Sequence, residues 1–525
     1  MIYNIPHIIL NSAARFPNRP AFGNGKEVLT FANFSNQMDQ MANQLQQLGV
    51  QKGDRVGVYL NRDLATAVAI FGIMRAGGVY VPLDSKSPPT VTRFLIKDCG
   101  IKILITNHLQ KKNLLKVVAE KTGLETIIGI NEPIDIATIS WEEIQKQSND
   151  FQPNFPILEN DLAYIIYTSG STGDPKGIVH THYSGLSYAR LSANLYGITE
   201  EDRVSNHAPV FFDISLFGYL SAPLVGAYTL IISDAHTIFP TSLSQLIEKE
   251  KLTIWYSVPL ALIQLLQNGS IDQRDLSSLR WVLYAGEPFP PKYLRPLMQK
   301  WSQAKFSNIY GPAELNQCTF YHIPQFPNIT DPIPIGEVWG NSEGIIINEK
   351  EEEVEQGEVG ELLIRTATMM RGYWQKPALT KKALFKKIND SGFEEVFYRT
   401  GDLVKKDVNG LLHFLGRKDH QIKIRGYRVE LNAVEVALIS QKSVNEVAVY
   451  TIKNKDETVS IYAAIILKKN REEEMDEETL KTILKNSLPF YAIPERIFFM
   501  ESFPRTGSGK IDRNAIKKEL KHISI

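Results

Sequence analysis

Apolar residues recur at helical spacing from Phe34 to Leu48 and again from Ala65 to Ala76, which predicts two helices that each bury a stripe of side chains. Around them lie short runs rich in Val, Ile and Leu, at Arg55 to Leu60 and Val79 to Pro82. Runs of this length, bounded by turn residues, predict strands. Strand, helix and strand in repetition is the rhythm of a wound α/β sheet, whose crossover helices cover its faces. The pattern continues through Ile101 to Thr106, Thr126 to Ile130, Tyr228 to Ile232, Thr253 to Tyr256 and Trp281 to Tyr284. The expected fold class is therefore α/β, with a large N-terminal region of wound α/β subdomains.

Past about residue 330 the strand-like runs shorten and are separated by Gly and acidic turns, at Gly344 to Asn348, Glu358 to Arg365 and Leu411 to Leu415. Antiparallel hairpins are expected there, giving a small β-rich subdomain over about 331–418. The acidic run Glu349 to Glu355 lacks the Gly-spaced ligands of a calcium loop and reads as a solvated turn. From 419 to 525 the order becomes helix Val434 to Ser440, strands Val444 to Ile452 and Val459 to Leu467, and helix Glu477 to Asn486, a smaller α+β domain. The expected boundaries are thus 1–418 and 419–525.

A chain of 525 residues exceeds what one hydrophobic core usually organises, in keeping with more than one domain. Lys plus Arg and Asp plus Glu both total 58, so the basic excess of a phosphate-backbone binder is missing and nucleic acid is not an expected partner. No run approaches the roughly 18 apolar residues of a membrane span, so no membrane is expected either. Two cysteines, Cys99 and Cys318, show neither zinc-site nor disulfide-scaffold spacing and fit a reducing compartment. With no signal-like start, a cytoplasmic location is expected.

The densest chemistry lies at Thr168-Ser169-Gly170-Ser171-Thr172-Gly173-Asp174-Pro175-Lys176-Gly177, immediately after a predicted strand. Glycines let successive backbone N–H groups converge on an anion, hydroxyls add donors, and the lysine supplies a point charge. A nucleotide polyphosphate is the natural ligand, rather than a flexible linker. A kinase-type phosphate loop needs Gly-x-x-x-x-Gly-Lys-Ser/Thr, and here Pro175 precedes the lysine and Gly177 follows it, so that spacing fails.

The stretch resembles the phosphate-binding loop of the adenylate-forming superfamily, which holds acyl-CoA synthetases, luciferases and the adenylation domains of nonribosomal peptide synthesis. Further segments resemble the family's motifs in order: Met74 to Asp84, Phe212-Asp213-Ile-Ser215, Asn308-Ile309-Tyr310-Gly311-Pro312-Ala313-Glu314, Gly360-Glu361, Tyr398 to Asp402, Gly416-Arg417-Lys418-Asp419, Lys423 to Gly426, and Gly509-Lys510. The resemblance implies ATP and Mg²⁺ as cofactors. It implies that Tyr310 stacks on adenine, Asp402 binds the ribose hydroxyls with Arg417 beside it, and Glu314 holds the metal. It also implies that Lys510 bridges the substrate carboxylate and α-phosphate, and that Asp419 is the hinge of a mobile C-terminal domain that presents Lys423 to Gly426 for the second half-reaction. Ala313 stands where the family usually has Thr, which removes a hydroxyl donor.

Asp213 occupies the place where amino-acid-activating members pair the substrate α-ammonium, a task fatty-acid and aryl ligases lack. The remaining pocket positions implied by resemblance are Ile214, Phe217, Ser257, Leu283, Ala285, Ile309, Gln317 and Cys318, mostly apolar and without a second charge. They favour a small or medium apolar amino acid. The flanking segments resemble enzymes that load L-proline onto a separate carrier protein, so proline is the expected substrate, with D-alanine or another small amino acid next. Since little sequence follows Lys510, the acceptor is expected to be the phosphopantetheine thiol of a separate peptidyl carrier protein. The alternatives are an acyl-CoA or aryl-CoA ligase and a nucleotide-binding regulatory protein without chemistry.

Overall fold

The computed structural model describes residues 1–131, 134–170, 174–324, 326–328, 331–418, 421–424, 426–454, 458–468, 475–505 and 511–520. These fall into two compact units: one of residues 1–85, 96–167 and 177–418, the other of 86–95, 168–176 and 419 onward.

In the first unit the two predicted helices form at Phe31–Gln47 and Leu64–Arg75. Thr30 starts the former by accepting a hydrogen bond from the Asn33 amide, and Asp63 starts the latter by accepting from the Leu64 amide, so each side chain satisfies a donor that has no partner within its helix. Phe31–Gln47 buries Phe31, Phe34, Met38, Met41 and Leu45 along one stripe. Leu64–Arg75 is apolar nearly all round and is buried from Thr66 to Met74, as expected of a helix enclosed by the core.

The predicted strands assemble into two sheets. Among the described residues, eight strands run in the order Gly372–Tyr373, Lys176–Thr181, Leu162–Thr168, Val79–Pro82, Arg55–Val58, Ile103–Ile105, Thr126–Ile128, Ala137–Ile139. Nine others run Glu337–Val338, Thr319–His322, Lys305–Tyr310, Trp281–Ala285, Ile254–Ser257, Arg203–Asn206, Tyr228–Ile231, Pro20–Gly23, Val28–Thr30. The middle six of the nine are parallel and the outer pairings antiparallel. Parallel strands place their connecting loops at a shared carboxyl edge, where ligands bind in wound sheets. Ser257, Ala285 and Ile309 lie at or next to the last residue of their strands, at that edge.

The β-rich subdomain is a third sheet of this unit. Ser342–Ile347, Val359–Thr366, Glu394–Lys406, Leu384–Ile388 and Leu412–Arg417 pair antiparallel. In the turn that carries the acidic run, Glu353 bonds Lys387 at 2.5 Å and Glu351 pairs with Arg399, so these carboxylates are tied to surface cations. No group of three potential metal-binding side chains occurs among the described residues.

The second unit is α+β. Val444–Lys453 and Val459–Leu467 pair antiparallel, Arg496–Phe499 joins the latter in parallel, and Leu431–Ile439 and Glu477–Leu484 pack on that sheet through Val434, Leu438, Leu480 and Leu484. Among the described residues no helix is long and apolar enough to cross a membrane.

Candidate active site

The loop that follows Lys305–Tyr310 is built by a tight reversal. The Cys318 amide donates to the Tyr310 carbonyl (3.0 Å) and the Leu315 amide to the Pro312 carbonyl (2.9 Å), after which Thr319–His322 pairs back on the strand it left. Gly311 is required by crowding: a Cβ there would lie 2.6 Å from the Asn316 oxygen and 2.7 Å from the Gln317 Cα. Asn316 takes a left-handed φ of 62°, a conformation Asn tolerates better than most residues. Asn308, near the strand's end, is anchored by donating from Nδ2 to the Pro334 carbonyl (2.7 Å).

Tyr310 is buried, and its hydroxyl donates to Asp402 Oδ2. Asp402 and Arg417 are direct partners across two antiparallel strands, so Arg417 Nη1 reaches Asp402 Oδ1 at 2.6 Å and the Thr400 carbonyl at 3.1 Å. Burial pushes the Tyr310 hydroxyl well above the usual phenol range and the Asp402 charge adds to that, so Tyr310 is a donor at any working pH. Glu361, from the Gly-Glu motif, supports this strand from beneath. Its carboxylate accepts from the Gly401 amide (3.2 Å), Arg399 (3.3 Å) and Lys418 (3.2 Å).

Glu314 has no exposed surface. The Tyr373 hydroxyl donates to Glu314 Oε1 (2.7 Å) and lies 3.3 Å from the Tyr398 hydroxyl. The Met370 amide donates to the Glu314 carbonyl (2.7 Å). The peptide one residue earlier is also held: His180 Nε2 lies 2.9 Å from the Ala313 carbonyl. Burial pushes the His180 pKa down to about 4, against the Ala313 carbonyl and the Glu314 charge, which both raise it.

Asp213 opens a short helical turn, Asp213–Ser215, that runs into a widened π turn at Phe217–Ser221. It is half-buried, and its Oδ1 accepts from the Ile214 amide (3.0 Å). Tyr164, Tyr188 and Tyr256 are buried, and for each burial suppresses ionisation first with the Asp213 charge adding to it.

Strand register sorts the remaining pocket positions. Tyr256 pairs with Leu283, and Ala285 pairs with Ile309; parallel neighbours and alternate residues share a face. Leu283, Ala285 and Ile309 accordingly join Phe217, Tyr256 and Ile214 in one cluster, with Phe217 edge-on to Tyr256 at 5.3 Å between centroids. Ser257 falls on the opposite face. Its hydroxyl accepts from the Trp255 indole (2.8 Å) and donates to the Val258 carbonyl (3.1 Å), while its neighbour Tyr256 faces the cluster of Leu283 and Phe217. The period of two turns an offset of one residue into a change of face. Cys318 packs with Tyr310 and Leu315 in a cluster distinct from that of Leu283 and Ile309. Gln317 donates to the Tyr196 hydroxyl (3.4 Å), and its buried Oε1 has no partner among the described residues.

The glycine-rich segment belongs to the second unit. There a Cβ on Gly170 would lie 2.1 Å from the Asp174 carbonyl oxygen, and the Ser169 hydroxyl donates to the Arg428 carbonyl (2.8 Å). Thr168 Oγ1 is enclosed without a hydrogen-bond partner among the described residues, as suits a donor kept for a phosphate oxygen. Lys176 begins the strand Lys176–Thr181. Ser171, Thr172, Gly173, Asp419 and Lys510 lie outside the described residues.

The family model of AMP-binding enzymes matches residues 9–374, and that of the AMP-binding enzyme C-terminal domain matches residues 433–510. The chain belongs to the AMP-binding enzyme family. As a member of this family the chain is an AMP-forming ligase. Among its relatives is an L-proline--[L-prolyl-carrier protein] ligase of Pseudomonas fluorescens, 29% identical over 98% of each chain. Tyrocidine synthase 1 of Brevibacillus parabrevis is 30% identical over 98% of this chain, which spans 45% of that protein. Among solved structures, an artificially fused adenylation–PCP di-domain from Klebsiella oxytoca superposes with a TM-score of 0.79 at 24% identity, over 95% of this chain and 94% of that one; at that identity the likeness concerns the fold.

Proposed function

We propose that the chain adenylates an amino acid, with L-proline as the substrate, and transfers the aminoacyl group to the phosphopantetheine thiol of a peptidyl carrier protein. The observation that carries this reading is Asp213: a half-buried carboxylate at the head of the turn that leads through Ile214 and Phe217 into the apolar cluster is matched by a cation, and the α-ammonium of an amino acid supplies one. The absence of such a need in a fatty-acid or aryl substrate sets the reading apart from acyl-CoA formation. The near-full-length relative named as an L-prolyl-carrier protein ligase supports the choice of substrate and acceptor. So does the apolar lining of Leu283, Ala285, Ile309 and Phe217, which suits a compact side chain without charge.

In the first half-reaction a substrate carboxylate oxygen bonds to the α-phosphorus of ATP as the bond to pyrophosphate breaks. Tyr310 offers a face to adenine, and Asp402, oriented by Arg417, accepts from the ribose hydroxyls. Glu314 fits a hard divalent cation, being a buried oxygen donor whose orientation is fixed by the Tyr373 hydroxyl. Mg²⁺ bound there supplies charge neutralisation for the phosphates. Lys510 brings a positive charge to the meeting of two anions. In the second half-reaction the thiolate sulfur attacks the acyl carbon, and AMP leaves. Asp419 serves as the hinge on which the C-terminal domain turns between the two steps.

The test is loading of a phosphopantetheinylated carrier protein in the presence of ATP, Mg²⁺ and single amino acids, read by intact mass. A prolyl thioester is expected. Failure to load any amino acid, with thioester formation from simple carboxylic acids and free coenzyme A, would overturn it.

A further inference from the structure

The Ala313–Glu314 dipeptide carries the carboxylate assigned to the metal, yet Ala313 brings only a methyl group with which to hold itself. Its carbonyl is instead held from another element. His180 lies in the strand Lys176–Thr181, fully buried, with Nε2 2.9 Å from that carbonyl. A carbonyl only accepts, so Nε2 carries the ring proton and donates. The other nitrogen, Nδ1, lies 3.2 Å from the Ser184 hydroxyl, which the Thr181 amide in turn bonds at 3.1 Å. The ring face stacks on Tyr164 at 4.8 Å and 18°, and Tyr164 stacks on Tyr80 at 5.4 Å. The Nδ1 edge and the ring face of the imidazole are thus fixed by groups that do not belong to the loop it holds.

We propose that His180 is a positioning residue for the nucleotide half of the reaction: its Nε2–H fixes the Ala313 carbonyl and so aims the Glu314 carboxylate at the metal–nucleotide complex. A buried polar position of this kind on a strand would otherwise be filled by an aliphatic side chain at no loss of packing. The proposal rests on the reading of Glu314 as the metal carboxylate. It assigns to His180 no contact with substrate.

The variants that separate aim from packing are His180→Leu, which keeps bulk and removes the donor, and His180→Gln, whose Nε2 can donate from a similar place. Calorimetric affinity for a non-hydrolysable ATP analogue is measured with and without Mg²⁺, beside the thermal midpoint. In H180L the affinity for the magnesium complex is expected to fall about tenfold, the scale of one lost buried hydrogen bond. Affinity for the metal-free analogue should stay within about twofold, and H180Q should recover most of the loss. Unchanged magnesium-complex affinity in H180L, or equal losses with and without metal, would overturn the proposal while leaving the reading of Glu314 intact. If the wild type and Glu314→Gln alike bound the analogue without regard to metal, both the reading and the proposal would fall.

Discussion

Asp402 is held on both oxygens, by the Tyr310 hydroxyl and by Arg417, so its charge and orientation are separable by mutation. Asp402→Asn keeps the shape and loses the anion. A charge-assisted hydrogen bond contributes about 1.5–3 kcal/mol, which corresponds to roughly a 10- to 150-fold rise in KM for ATP, measurable by initial rates with amino-acid affinity unaltered. Tyr256 and Ser257 offer a contrast between neighbours. Tyr256→Ala opens the cluster around Leu283 and Phe217, and is expected to raise KM for the preferred amino acid at least about tenfold and admit bulkier ones. Ser257→Ala should leave KM within about twofold, since that hydroxyl serves Trp255 and Val258 on the other face. The sequence pointed to Ser257 and passed over Tyr256, because only strand register shows that the two neighbours lie on opposite faces and that Tyr256 pairs with Leu283. Tyr373 was missed for a different reason, because its partner Glu314 lies far away in sequence and no motif joins them.

At the scale of elements, most of the fold was legible. Val79–Pro82 and Val459–Leu467 form as read, and Phe31–Gln47 extends the predicted helix by one turn at the end where Thr30 caps it. What could not be read was the division of similar β-rich runs between two sheets, since one apolar strand resembles another and only tertiary pairing separates them. The grouping of residues 168–176 with the second unit was equally invisible, because a loop's spatial neighbours are not encoded in its own composition. The loop after Lys305–Tyr310 gives the clearest test at this scale. Gly311→Ala sets a Cβ against the Asn316–Gln317 backbone, and the overpacking is expected to cost about 1–3 kcal/mol. Thermal unfolding should show a lowered midpoint, with nucleotide-dependent activity falling further than stability does.

At the scale of the whole molecule, one buried imidazole links folding to pH. His182 has no exposed surface, its Nδ1 accepts from the Ile5 amide (3.2 Å), and burial holds its pKa down to about 3 from 6.5. Because the folded value lies below the unfolded one, the unfolded chain takes up the extra proton as pH falls through 6.5. Stability is therefore complete above that pH and declines below it, by about 2 kcal/mol for this group between pH 7.5 and pH 5. Denaturant unfolding at the two pH values checks this; His182→Gln should flatten the dependence by about one proton. A pH-independent difference between wild type and variant would contradict it.

The central claim, that an amino acid is the acyl donor and Asp213 receives its ammonium, is tested most directly by amino-acid-dependent exchange of labelled pyrophosphate into ATP. All proteinogenic amino acids are compared, with Asp213→Ala and Lys510→Ala alongside. Strong exchange with L-proline in the wild type, and its loss in both variants, is the expected result. Exchange with no amino acid, or exchange that survives Asp213→Ala undiminished, would contradict the assignment.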